Sequence, residues 1–182
     1  SCEVTSSDPC ALPTMATSNA IVMTVADLLD PTAVCQNVAV TLDGSGNGST
    51  TAAAINNGSN DNCTSMGSLG LSLNTSGFTC AQLGANTVVL TVTDGAGRTG
   101  TCNATVTVTD PIVPAITCPA NIALPSSPGL CAATVTYTAP VGTDNCTPTT
   151  TQTAGLASGA AFPVGVTTNT FRATDGSGNS AT

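Results

Sequence analysis

The sequence contains no lysine, no histidine and no tryptophan, and its basic side chains are Arg98 and Arg172 alone among 182 residues. Nucleic acids and anionic membrane surfaces attract clustered Lys and Arg, so at a net charge of −8 we expect neither as a partner and no membrane insertion. Without histidine there is no imidazole base, His-activated nucleophile or His-ligated metal. Three Phe and one Tyr provide little surface for stacking on sugars or bases. We therefore expect a protein that is not an enzyme.

The nine cysteines are scattered singly, and no Cys-x-x-Cys pair occurs among them. Cytosolic thiols are kept reduced, and clustered cytosolic cysteines usually bind metal. Single cysteines at this density instead indicate a disulfide framework, which predicts an extracellular or cell-surface location. An apolar content of 41%, rich in Val, Ala, Ile and Leu, favours a folded chain over a disordered one.

The sequence contains two copies of one module of about 80 residues. Five matching features recur at separations of 80–84 residues and in the same order, which composition alone does not produce. They are Asp30-Pro31 with Asp110-Pro111, Cys35 with Cys118, Asp61-Asn62-Cys63 with Asp144-Asn145-Cys146, Phe78 with Phe162, and Asp94-Gly95 with Asp175-Gly176. We assign module 1 to residues 30–110 and module 2 to residues 111–182.

Apolar and polar residues alternate within each module, which is the pattern of half-buried β-strands. Residues 88–92 and 104–108 form the clearest pair and predict a hairpin closed by a Gly-rich turn. Further strands are predicted at residues 38–42, 49–55, 69–73, 121–124, 132–138 and 169–174. No segment carries a helical stripe. Short strands, frequent turns and this module length predict an all-β fold of tandem immunoglobulin-like β-sandwich modules stapled by disulfides.

Small sandwiches with few aromatic residues usually need covalent staples. The parsimonious pairings within module 1 are Cys63 with Cys80, and Cys35 near the first strand with Cys102 on the last. In module 2 the corresponding local pairing is Cys131 with Cys146. Sequence alone does not prove this connectivity.

Module 2 stops at Thr182, before the cysteine and final strand expected from module 1, so Cys118 lacks an equivalent of Cys102. Residues 1–29 resemble the closing segment of a preceding module, because residues 1–5 resemble residues 101–105 and residues 21–27 resemble residues 104–110. These residues could complete a neighbour's second module and bring Cys2 to Cys118. The link could be a tandem repeat in a giant polypeptide or a strand donated between subunits; an arbitrary boundary of the segment is the alternative. The partner of Cys10 is open.

Module 2 resembles the hyalin repeat family of extracellular immunoglobulin-like modules. The residues that match are Asp110-Pro111, Pro114, Ile116-Thr117-Cys118-Pro119, Asp144-Asn145-Cys146, Phe162-Pro163-Val164-Gly165 and Ala173-Thr174-Asp175-Gly176-Ser177-Gly178-Asn179. Module 1 resembles the related repeats of large secreted Bacteroidota surface proteins of the gliding-adhesin type. It does so through Ala33-Val34-Cys35-Gln36-Asn37, Phe78-Thr79-Cys80 and Thr91-Val92-Thr93-Asp94. The resemblance implies a bacterial cell-surface role in adhesion or scaffolding, without catalysis.

Acidic residues concentrate at the predicted ends of the modules. In a sandwich, the module entrance, the loop after the second strand and the last hairpin turn lie at one pole. These places hold Asp27, Asp30, Asp61 and Asp94 in module 1, and Asp110, Asp144 and Asp175 in module 2. Gathered carboxylates repel unless a cation or hydrogen-bond donors compensate them, and hard oxygen ligands, with the Asn62 or Asn145 amide, suit Ca²⁺. The alternative is turn chemistry, since Asp and Asn often bind nearby backbone amides.

These observations predict a structural repeat of an extracellular filament or giant adhesin, whose main partners are neighbouring repeats or subunits and whose receptor is a surface or glycan. A carbohydrate-binding module of a secreted protein is the alternative, against which the low aromatic content counts.

Overall fold

The computed structural model describes residues 3–4, 16–17 and 26–182. Strands β1 (Glu3–Val4) and β2 (Ala16–Thr17) pair antiparallel. Other features predicted for residues 1–25, including the roles of Cys2 and Cys10, lie outside the described residues. No helix in the described part of the chain is long and apolar enough to cross a membrane.

Module 1 is built around one four-stranded sheet with a smaller sheet beside it. The larger sheet has the order β3-β8-β7-β5, in which β8 lies between β3 in parallel and β7 in antiparallel register. Its strands are β3 (Val38–Thr41), β5 (Gly70–Leu73), β7 (Gly84–Thr93) and β8 (Thr99–Thr109). The smaller sheet pairs β4 (Asn47–Ser49) with β6 (Gly77–Thr79). The predicted hairpin is therefore confirmed, and it is longer than its apolar pattern.

Alternation along β7 and β8 places one face of the hairpin in the core. Val88, Leu90 and Val92 are fully buried, and on β8 Ala104, Val106 and Val108 are at most 2% exposed. The intervening threonines of β8 at positions 105, 107 and 109 face solvent. Phe78 and Ile55 cover the buried face from the other side of the module. A strand period of two thus produces this core without large aromatic residues.

The strand predicted at residues 49–55 is wrong, because a short helix, α1 (Ala52–Ile55), occupies most of it. Thr51 caps this helix, its Oγ1 accepting a hydrogen bond from the backbone N–H of Ala54 at 3.2 Å. Three consecutive alanines have the highest helix propensity, and Thr is a favourable N-cap. Ile55 then enters the core fully buried. Two single-turn 3₁₀ helices, Met66–Ser68 and Cys80–Gln82, complete the helical content of the described residues.

Module 2 has the same layout with fewer strands. A three-stranded sheet has the order β10-β12-β13, and a second sheet pairs β11 with β9. The strands are β9 (Ala132–Thr134), β10 (Thr149–Ala154), β11 (Ala161–Pro163), β12 (Thr170–Thr174) and β13 (Ser180–Ala181). Phe171 and Ala173 on β12 are its buried apolar residues, together with Cys146. The described residues are therefore all-β, with tandem immunoglobulin-like sandwiches, as predicted.

The strand predicted at residues 121–124 does not form, and this segment has no regular secondary structure. Its equivalent in module 1 is β3, which forms by pairing with β8. In module 2 the equivalent of β8 is β13, which pairs with β12 over only two residues. Residues 121–124 therefore have no strand beside them, and the backbone has no ladder to join.

Candidate functional site

The structure brings the predicted acidic residues together in two clusters, one in each module. One carboxylate oxygen each from Asp27, Asp61 and Asp94 forms cluster 1, and these oxygens lie within 4.8 Å of one another. Cluster 2 has the same geometry and is formed by Asp110, Asp144 and Asp175. Asp94, Asp110 and Asp175 are buried side chains.

Backbone amides hold one oxygen of most of these carboxylates. Asp61 Oδ2 accepts from the N–H of Thr64 at 2.7 Å, and Asp94 Oδ1 accepts from the N–H of Arg98 at 2.8 Å. Asp175 Oδ1 accepts from the N–H of Asn179 at 2.8 Å, in the turn equivalent to that of Asp94. This is the turn chemistry expected of Asp, which precedes Gly at positions 94 and 175. It leaves the second oxygen of Asp61 and of Asp94 without a hydrogen-bond partner, whereas Asp175 Oδ2 accepts from Asn179 Nδ2 at 2.8 Å.

The unusual feature of the site is the set of buried oxygens that accept no hydrogen bond from the turns. Seven buried side-chain oxygens lack a hydrogen-bond partner among the described residues, and all belong to residues of the two clusters or to the adjacent Asn145. They are Asp27 Oδ2, Asp61 Oδ1, Asp94 Oδ2, Asp110 Oδ2, both carboxylate oxygens of Asp144, and Asn145 Oδ1. A buried polar atom without a partner is costly, so this concentration calls for a chemical explanation. A set of oxygen ligands of this kind can hold a hard cation.

Asp30 is not brought into cluster 1. Its Oδ1 forms an ion pair with Arg98 Nη1 at 3.2 Å, and the Asp30 side chain is 67% exposed. Arg98 Nε also donates to the backbone carbonyl of Asp27 at 3.0 Å. Arg98 therefore fixes the entrance of module 1 beside the cluster. The Asn62 amide is likewise exposed, and its Nδ2 lies 3.0 Å from Cys63 Sγ.

The pKa values of Asp61, in cluster 1, and of the nearby Cys63 are shifted from their usual values. The backbone N–H of Thr64 lowers the pKa of Asp61, and this outweighs the opposing effect of desolvation. Desolvation, followed by the negative charges of Asp27 and Asp61, raises the pKa of the Cys63 thiol. Cys63 therefore stays protonated at neutral pH and is a poor nucleophile.

The described residues form two disulfides, of which one was predicted. Cys35 is bonded to Cys102, which joins the start of module 1 to its last strand. The predicted bonds Cys63–Cys80 and Cys131–Cys146 are wrong, because Cys80 is bonded to Cys146 across the two modules. Cys63, Cys118 and Cys131 are exposed free thiols. The proposed partner of Cys118, Cys2, lies outside the described residues.

The length of β7 explains why Cys63 and Cys80 do not meet. Cys80 begins the short helix that leads into β7, whereas the neighbour of Cys63, Thr64, accepts a hydrogen bond from Gly95 just beyond the end of β7. Ten residues of strand place these points about 30 Å apart. Cys80 is instead at the opposite end, where its Sγ lies near the carbonyl of Asn145.

Asn145 links the two modules at cluster 2. Its Nδ2 donates to the backbone carbonyl of Asp43 in module 1 at 3.0 Å and to Asp110 Oδ1 at 3.1 Å. Asn179 Nδ2 donates to the carbonyls of Asp110 and Ile112 at 2.9 and 3.1 Å. Nothing in the sequence indicated that the Asp43 carbonyl accepts a hydrogen bond from module 2.

Residues 109–182 match the family model of the HYR domain. The matched segment includes all of cluster 2. No curated protein matches the chain. The HYR match supports the resemblance of module 2 to a hyalin repeat and indicates an extracellular adhesion-type repeat. Together with the disulfides, which persist in oxidising surroundings, it suggests an extracellular or cell-surface protein.

Proposed function

We propose that this chain is a structural repeat of an extracellular surface filament or giant adhesin, in which a strand from the next unit completes the HYR-like module. The proposal assigns it no catalytic role. The observation that supports it is the gap in module 2 between residues 121–124 and β12. In module 1 this position is held by β8, which forms ten paired positions with β7 and four with β3.

The side chains around the gap fit an incoming strand. A groove of about 780 Å³ is lined by Ile122, Leu124, Phe162 and Val166, among others. Val166 is 96% exposed, and Ile122 and Leu124 are 51% and 56% exposed. An apolar face of this kind on a secreted repeat marks an interaction site.

The repeat pattern supports a particular segment as the incoming strand. β8 closes module 1, and the chain continues directly into Asp110, which belongs to cluster 2 of the next module. Asp27 has the same place in cluster 1, and residues 21–26 before it resemble residues 104–109. These residues therefore have the sequence of a strand that closes a preceding sandwich. Cys118 is exposed and unbonded at the position equivalent to Cys35, where a cysteine on the incoming strand would reach it.

Hydrogen exchange with a synthetic peptide of residues 1–29 tests the proposal. We expect the peptide to bind the chain and to slow amide exchange in β12 and in residues 121–124, while a peptide of scrambled order has no effect. The isolated chain then distinguishes two modes of assembly. Polymers that grow with protein concentration indicate strand donation between chains, and a monomer that binds the peptide indicates a tandem array. A monomer that neither binds the peptide nor gains protection would contradict the proposal.

A further inference from the structure

The two clusters stand apart from the other acidic turns because their charge is uncompensated. The sequence has no Lys or His, and Arg98 and Arg172 are its basic side chains. Arg98 pairs with Asp30, and Arg172 donates to Ser180 Oγ at 2.8 Å. No basic side chain of the described residues therefore neutralises either group of three carboxylates. Coulomb repulsion at such distances is substantial in a partly buried site.

Hydrogen bonds satisfy only half of the carboxylate oxygens in the two clusters; the other half are buried without a partner. Asp94 and Asp110 are 6% and 4% exposed, and the Oδ2 atom of each is buried without a partner. Asp144 is the sharpest case, because both of its oxygens are buried and neither accepts a hydrogen bond. It therefore has no capping role in the structure. An ionised carboxylate in this environment requires a positive partner.

We propose that each cluster is a Ca²⁺ site, with Asp27, Asp61 and Asp94 as ligands in module 1 and Asp110, Asp144 and Asp175 in module 2. Oxygens bound to one Ca²⁺ at 2.3–2.6 Å can be separated by at most about 5 Å, which agrees with the observed limit of 4.8 Å. Mg²⁺ retains several waters and usually binds one or two carboxylates, so three gathered carboxylates favour Ca²⁺.

The two sites differ in their protein oxygens but lie at equivalent joints. In cluster 2 the unpartnered Oδ1 of Asn145 adds a fourth protein oxygen, while its Nδ2 binds the carbonyl of Asp43 in module 1. An ion held there would stiffen the connection between the modules. In cluster 1, Asp27 comes from the segment that leads into module 1, so an ion would fix that entrance in the same way. Calcium thus acts at equivalent joints along the chain.

Calorimetric titration of the metal-free chain with CaCl₂ tests this inference. We expect two sites, and a melting temperature that rises by about 5–10 °C for each site at a calcium concentration a hundredfold above Kd. Titration with MgCl₂ should give a much weaker response. Two sites of equal strength for Mg²⁺, or no heat and no thermal shift with Ca²⁺, would overturn it.

Single substitutions assign the sites. Asp94→Asn keeps Oδ1 for the turn and removes the charge, so we expect it to lose one site while the metal-free protein melts at the same or a higher temperature. Asp144→Asn should remove the other site in the same way. Asp30→Asn, outside the cluster, is the matched control and should retain two sites. If Asp94→Asn and Asp144→Asn still bound two calcium ions, the assignment would be wrong. These results are independent of strand completion, which the peptide experiment measures.

Discussion

Asn145 Nδ2 donates a hydrogen bond to the backbone carbonyl of Asp43 at 3.0 Å, although 102 residues separate the two in the sequence. The same nitrogen also donates to Asp110 Oδ1. One amide therefore joins a turn of module 1, the linking residue Asp110 and the acidic loop of module 2. The bonded pair Cys80–Cys146 lies at the same junction.

We predict that Asn145→Ala destabilises the protein by about 1–3 kcal/mol, because it removes two hydrogen bonds, to the Asp43 carbonyl and to the part-buried Asp110 Oδ1, each of which contributes about 0.5–1.5 kcal/mol. Asn62→Ala is the matched control, since Asn62 holds the equivalent position in module 1 but its side chain is exposed. Urea denaturation followed by circular dichroism measures both. Equal, small effects for the two variants would contradict the role given to Asn145.

Removing the bond between Cys35 and Cys102 should cost about 4 kcal/mol in the chain-entropy model, because the bond closes a loop of 67 residues. The double variant Cys35→Ala/Cys102→Ala tests this by denaturation without reductant. Cys131→Ala, which removes an exposed free thiol, should leave stability nearly unchanged. If the double variant lost less than about 1 kcal/mol of unfolding free energy, the bond would contribute little to the stability of module 1.

Alkylation of the native, unreduced protein should label Cys63, Cys118 and Cys131. Cys63 should react more slowly than a cysteine whose pKa is not raised, because less of it is thiolate at neutral pH. Peptide mapping of the same sample should recover Cys80 linked to Cys146. A linked peptide of Cys63 and Cys80 would instead support the pairing expected from sequence spacing.

Gly100→Ala should destabilise module 1 by about 1–3 kcal/mol, because the added Cβ would overlap the carbonyl oxygen of Pro31. Backbone atoms at the module entrance cannot move aside as a flexible side chain could. Gly44→Ala is the control, since its Cβ would meet no heavy atom within 4 Å. Thermal melts of both variants provide the comparison, and equal melting temperatures would refute the close approach.

Features that depend on local pattern could be predicted from the sequence. Alternation located the hairpin of β7 and β8, and the internal repeat located both groups of acidic residues at the module ends. The bond between Cys35 and Cys102 followed from their positions at the two ends of one module. In each case a pattern along the sequence, either strand alternation or the repeat spacing, indicates the feature directly.

Features that depend on a distant partner could not be predicted. Residues 121–124 alternate like a strand, yet a strand needs a neighbour, and the described chain provides none there. Cys80 was assigned to Cys63 because short loops close easily, but the intervening strand separates them. Residues 52–55 were assigned to a strand because four residues are too few to show helical periodicity.

The two disulfides overlap along the chain, since Cys80 lies inside the loop that Cys35 and Cys102 close, and Cys146 lies outside it. Between Cys35 and Cys146 two covalent routes therefore run in parallel, one through residues 35–80 and the other through residues 102–146. A single backbone scission anywhere from Cys35 to Cys146 leaves the polypeptide in one piece. In the filament that we propose, tension would likewise be shared by two arms of nearly equal contour length, so a repeat with one broken backbone bond would still hold together.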